Sequence, residues 1–160
     1  MTSRRRAAAA AALLPTLLLT LAAGCGDRDG SKIPATVDGG TCVSCGMEIR
    51  NPRYAAAWIV AGRVRPFDSI ECALQNAGAE GRAGRATPSG TERSLYLSDF
   101  ASGSLHRADS LWVVRAKIPS PMGGGFAAFL DRAEAERIAA AREGSVSTAA
   151  ALLGDATEAR

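Results

Sequence analysis

Two thiols and a thioether stand within six residues of one another in Cys42-Val43-Ser44-Cys45-Gly46-Met47. Thiolate and thioether sulfurs are soft donors, and together they favour soft ions, Cu(I) above all, over oxygen-seeking ions such as Mg²⁺ or Ca²⁺. Cys-x-x-Cys is also the spacing of a redox pair, so a reversible Cys42–Cys45 disulfide is the competing chemistry. Other chemistries lack their parts. His106 is the single histidine of the chain, and no Ser-His-Asp grouping can be defended around it. Gly123-Gly124-Gly125 precedes a strand and lacks the lysine of a phosphate-cradling loop. No enzyme is expected.

The sulfur cluster follows a segment with the marks of an export signal. Ser3-Arg4-Arg5-Arg6 is a basic start, Ala7 to Ala23 is an almost unbroken apolar run, and Ala22-Ala23-Gly24 places small residues before Cys25. This is the pattern of a bacterial lipoprotein signal, with residues 1–24 removed and Cys25 carrying the lipid. A retained membrane anchor is the alternative, but the run contains Pro15 and is short against the roughly 20 residues of a membrane span. Of 19 basic and 16 acidic residues, three arginines and no acid precede residue 25, which leaves 16 against 16. That balance removes the electrostatic case for nucleic-acid binding. With Cys25 assigned to lipid, three cysteines remain, and an odd number argues against a purely structural disulfide framework.

The elements that must position these sulfurs read as an α+β fold of two small ββα units in tandem, packed together and preceded by a flexible tether at 25–41. The first unit spans 42–78. Tyr54 to Val60 and Val64 to Phe67 read as strands joined at Ala61-Gly62. Asp68 then predicts a helix N-cap, with Glu71 completing a capping box, and Ile70, Ala73 and Leu74 line one face of the helix. Residues 79–94 read as a linking loop, since Asn76 to Arg93 lacks apolar periodicity. The second unit, 95–153, has strands at Leu95–Leu97, Leu111–Ile118 and Phe126–Phe129. A helix follows behind a second box at Asp131 and Glu134 and ends near Gly144. Val146 to Leu153 suits a strand or a helical turn equally, and 154–160 is a tail.

Taken in order, Cys45-Gly46-Met47-x-Ile49, a Tyr-Ala strand, Phe67-Asp68-Ser69-Ile70-Glu71-Cys72, Tyr96-Leu97-Ser98-Asp99-Phe100 and Ser120-Pro121-Met122-Gly123-Gly124-Gly125-Phe126-Ala127-Ala128-Phe129 resemble the nitrous oxide reductase accessory protein family, NosL. The resemblance covers about Cys42 to Leu153. It implies a lipid-anchored periplasmic Cu(I) chaperone of two ββα units. Its client would be nitrous oxide reductase, whose copper–sulfur centre it supplies, and its docking partner a membrane ABC-type complex. Carried over by motif, the copper ligands are Cys45, Met47 and Met122, and the bilayer is reached through the lipid on Cys25. The first unit is also similar to the YHS and TRASH metal-binding modules, which would keep the metal and loosen the client.

Each of these residues has a plainer reading. Met47 and Met122 would fill core gaps in many proteins. Cys42 lies outside the family motif and serves as a fourth ligand or as a disulfide lock on copper loading. Cys72 falls on the inward face of the first helix, where a buried small hydrophobe is the expectation and ligation the alternative. His106 reads as a solvated loop histidine rather than a ligand. Asp68, Glu71, Asp131 and Glu134 are assigned to helix capping and to nothing else.

Overall fold

A computed structural model describes residues 33–82 and 93–158. The signal segment, Cys25, the start of the tether and the middle of the 79–94 loop lie outside them. The first hairpin forms where the apolar run bounded by Pro52 and Gly62 predicts it. Strand β1, Ala56–Val60, pairs antiparallel with β2, Arg63–Phe67, and Trp58 faces Arg65 in register. The two residues between them, Ala61 and Gly62, both have positive φ (48° and 74°), as a two-residue hairpin requires. Tyr54 belongs to a short 3-10 turn, Pro52–Tyr54, ahead of β1.

Helix α1, Ile70–Arg82, runs longer than local propensity allows. Asn76 and Gly78 belong to it although Gly costs about 1 kcal/mol against Ala in a helix interior. Tertiary packing overrides that cost, because Ala77 is buried in the main core and α1 packs along a later helix. Strand β3, Arg93–Ser98, then returns to pair with β1, not with the second unit to which residues 95–97 were assigned. Strand β4, Leu105–Arg107, pairs with β3 in a segment expected to be loop. The first sheet has the order β2-β1-β3-β4.

The second sheet repeats the plan. Strand β5, Trp112–Arg115, pairs with β6, Phe126–Phe129, and helix α2, Arg132–Ala141, follows. Strand β7, Ser145–Thr148, then pairs with β5, giving the order β6-β5-β7. Each unit is therefore ββαβ: a strand comes back after the helix and joins the first strand of its own hairpin. Residues 146–153 are both things the sequence allowed, the end of β7 and the start of helix α3, Ala149–Glu158.

The two units stack in the same sense. Phe67 and Phe129 hold equivalent registers, opposite Ala56 and Trp112. Alternation along the strands sends Ala56, Trp58 and Phe67 to the face that α1 covers, and Val114, Ala127 and Phe129 to the face that α2 covers. The other face of the second sheet, with Val113, Phe126 and Ala128, closes the core around α1. The layers thus run sheet, helix, sheet, helix, with α3 beside α1. On the outer face of the first sheet, Val37 and Ile49 from the segment before β1 cover Ala57, Ile59 and Tyr96.

Candidate metal centre

The Cys42–Met47 segment is a tight loop closed by its own backbone. Cys42 N–H donates to the Met47 carbonyl (2.8 Å) and Gly46 N–H donates to the Cys42 carbonyl (2.9 Å). Gly46 sits at φ +77° with nothing near the position of a Cβ, so glycine is needed there for its backbone angle and not for space. Val43 N–H donates to the Pro66 carbonyl (3.0 Å), which fastens the loop to the end of β2. The chain leaves β2 directly into Asp68, Ser69 and α1. One short stretch on each side thus brings the loop thiols to the start of the helix.

There Cys42, Cys45, Asp68 and Cys72 converge. One donor atom from each of the four lies within 4.8 Å of all the others. Cys42 and Cys72 are buried, at 1% and 0% exposure, and Cys45 is the exposed member. All three cysteines are free thiols. Burial pushes the Cys72 thiol far above its ordinary range, and the Asp68 carboxylate beside it pushes the same way. Cys45 is also raised: desolvation leads, the Met47 N–H directed at its sulfur pulls back, and Cys42 adds to the rise.

The helix start differs from the capping box that Asp68 and Glu71 predict. Ser69 is the residue that caps α1, its Oγ accepting from Cys72 N–H (3.2 Å). Asp68 is buried at 4% exposure, and neither of its oxygens has a hydrogen-bond partner. Glu71 turns the other way, across to the second unit. Its Oε1 accepts from Ser120 Oγ (2.5 Å) and from Phe126 N–H (3.5 Å). In the second unit Asp131 does cap α2, accepting from Ala133 N–H (2.8 Å), while Glu134 pairs with Arg137 (3.5 Å) instead of closing a box.

Glu71 matters because of what it holds. Ser120 lies within the β5–β6 connection, residues 116–125, that carries Met122, and Gly124 in the same loop lies against the Glu71 side chain. A Cβ on Gly124 would stand 2.5 Å from Glu71 Cγ. The Met122 loop is thereby seated at the N-terminal end of α1, one residue from Cys72. Met122 comes from inside the second hairpin, whereas Cys45 and Met47 precede the first, so the two sulfur segments do not occupy matching points of the repeat. Met47 and Met122 are exposed, at 44% and 39%, and do not fill the core. His106 is half-buried on β4, at the opposite edge of the first sheet from β2, and stands outside the four-donor cluster.

Asp68 is the donor that sequence reasoning missed. The signal was present in Phe67-Asp68-Ser69, where two adjacent residues can each cap a helix and only one does.

A cluster of three thiols and a carboxylate at a helix start, in a molecule of two stacked ββαβ units, defines an α+β protein with a candidate metal centre. The NosL family model matches residues 34–156, and the chain belongs to that family. The fold is that of a solved structure described as the copper chaperone NosL from Shewanella denitrificans. The two share 15% identity, 75% of this chain and 94% of that chain are covered, and the TM-score is 0.60. No curated protein sequence matches the chain.

Proposed function

We propose that the protein is a Cu(I) metallochaperone that carries copper on Cys45, Met47 and Met122. The observation that carries this reading is the division of the sulfurs by exposure. Both thioethers and the Cys45 thiol face solvent, while Cys42 and Cys72 lie beneath. A methionine with no core to fill, on a loop anchored at the helix start through Glu71, is placed for exchange. Thioethers are neutral and leave readily, so an ion held by one thiolate and two thioethers passes to a partner by stepwise ligand replacement. Family membership and the name of the structural neighbour support the same reading.

The finer assignment follows the family. Cys25 carries the lipid, the protein faces the periplasm, an ABC-type membrane complex receives it, and nitrous oxide reductase is the client. A thiol–disulfide oxidoreductase is the weaker alternative. Such enzymes attack with a thiol of depressed pKa, and here the solvent-facing Cys45 is shifted upward.

Titration of the reduced protein with Cu(I) against a competing chelator tests the proposal. One tightly held Cu(I) is expected, with affinity falling at least about tenfold, or about 1.4 kcal/mol, in Cys45→Ala and in Met122→Ala. Copper binding no tighter than that of the denatured chain would overturn it.

A further inference from the structure

We propose that the open edge of β2 is the docking site for the copper recipient, which adds to the first sheet an extended segment of the pattern acidic–apolar–acidic. The identity of this guest rests on the copper-chaperone reading; the edge itself rests on the fold.

The first sheet has two edges, β4 and β2. The β4 edge is covered, since Leu105 N–H donates to the Ala35 carbonyl (2.8 Å). On β2 the cover stops after one residue. The Pro66 carbonyl accepts from Val43 N–H (3.0 Å), so Pro66 holds a position whose backbone groups point away from β1. Val64, two residues earlier, has the same orientation. Its N–H and C=O meet no partner on that side among the described residues. Such a pair on an edge strand is a template for one more strand.

The side chains select the guest. Val64 shares the outer face with Ile59, its neighbour on β1, and Val43, Met47 and Val64 are all exposed. An apolar guest residue opposite Val64 covers it. Arg63 and Arg65 stand on the other face, before and after Val64. The guest residue opposite each has its Cβ about 5 Å away, and Glu or Asp at those two places answers the arginines. A second copy of this chain is a poor occupant. Pairing β2 with itself about Val64 sets Arg63 against Arg65 of the other copy twice, and like charges directly opposite are destabilising. The arginines and Pro66 also shield the edge from indiscriminate pairing, leaving Val64 as the one position open to a guest.

The register carries the guest to the metal. Val43 already fills the place opposite Pro66, so a strand laid on Val64 ends against the Cys42–Met47 loop. At about 3.4 Å per residue, a soft donor two residues along the guest arrives beside the loop that carries Cys45 and Met47. Two backbone hydrogen bonds and a few side chains make a weak interface, which suits an encounter that must end after transfer.

The test uses the full reduced chain and two blocked synthetic peptides, one alternating Glu and Val and one alternating Lys and Val, each ending in Cys. Followed by NMR, the acidic peptide is expected to slow hydrogen exchange of Val64 N–H at least about tenfold, and the lysine peptide to leave it unchanged. Val64→Pro removes the docking N–H without breaking a bond to β1, and Pro66 shows that the strand accepts proline at this alternation. That variant is expected to bind the acidic peptide at least about tenfold more weakly, while Cu(I) affinity, measured by chelator competition, stays at the wild-type level. Arg63→Glu is expected to reverse the preference between the peptides, and salt to weaken the acidic one. Cu(I) is expected to pass faster to the acidic peptide than to the lysine one, a difference lost in Val64→Pro. An unprotected Val64 amide, equal binding of the two peptides, or unchanged peptide affinity in Val64→Pro would overturn the proposal. So would a dimer in sedimentation that Val64→Pro dissolves, which gives the edge to a second copy. If Val64→Pro does not fold, the wild-type exchange data and the Arg63→Glu reversal decide. A chain that binds no Cu(I) yet protects Val64 with the acidic peptide keeps the docking edge and refutes the copper reading. A chain that holds Cu(I) without that protection does the reverse.

Discussion

Cys72 shows how a residue's surroundings decide its chemistry. In an unfolded chain its thiol ionises near pH 8.5. Folded, it sits at 0% exposure beside Asp68 and holds its proton well beyond that. The sign of the linkage follows. Above about pH 8.5 the unfolded chain has lost a proton that the folded chain keeps, so the metal-free protein loses stability as pH rises, by up to about 1.4 kcal/mol per pH unit for this thiol. Thermal melts of the metal-free protein between neutral and alkaline pH are expected to show a falling midpoint, and Cys72→Ala to flatten the slope. An unchanged slope in that variant would show that Cys72 is not the group responsible. Asp68 reads differently at the same scale. Residue type and position named it a cap, and its neighbour Ser69 took that role.

At the scale of elements, the β5–β6 loop is the part that would make the proposed copper site bipartite. It reaches back to α1 through Ser120 and Gly124, both set against Glu71, which is itself buried at 6% exposure. Removing the hydroxyl in Ser120→Ala leaves a buried carboxylate oxygen with only the long Phe126 contact, a loss of about 1–3 kcal/mol. The expected result is a lower unfolding midpoint together with several-fold weaker Cu(I) binding, since Met122 is no longer held at the helix start. Gly124→Ala is expected to do the same by a different route, pushing the loop away from Glu71. Chemical denaturation and copper competition on the same preparations check both effects. Copper affinity at the wild-type level in a destabilised Ser120→Ala protein would show that the loop does not position Met122.

The whole molecule is held by contacts that cross between the units. Asp99, at the end of β3, accepts from Ser102 N–H and Oγ on one oxygen (2.9 and 2.8 Å) and from Leu130 N–H on the other (3.2 Å). Phe100 beside it bridges Tyr54 and Phe129, with ring centroids 5.3 and 5.5 Å away. Burial alone would raise Asp99, but the Ser102 and Leu130 hydrogen bonds hold its pKa below the usual carboxylate range. Its contribution is therefore present above about pH 3.9 and lost as pH falls through the lower folded value. Asp99→Ala is expected to cost about 1–3 kcal/mol at neutral pH and much less at pH 3, measured by urea denaturation at both. An equal loss at the two pH values would assign the effect to packing and not to the carboxylate.

The sequence by itself determined what depends on neighbours along the chain. The apolar run bounded by Pro52 and Gly62 and the Ala61-Gly62 turn set the first hairpin, Asp131 set the start of α2, and two Asp-x-x-Glu pairs, each following a strand, disclosed two units. The order of separated sulfur and glycine motifs was enough to name the family. Tertiary structure decided what depends on residues far apart. The return of β3 to β1, the extension of α1 through Asn76 and Gly78, and the stacking of the units all rest on long-range burial that local periodicity does not register. The same holds for the site. Asp68 and Glu71 both fit a helix start, and propensity cannot tell a capping carboxylate from a displaced one. Only packing showed that Ser69 caps the helix, leaving Asp68 among the thiols and Glu71 to hold the loop that carries Met122.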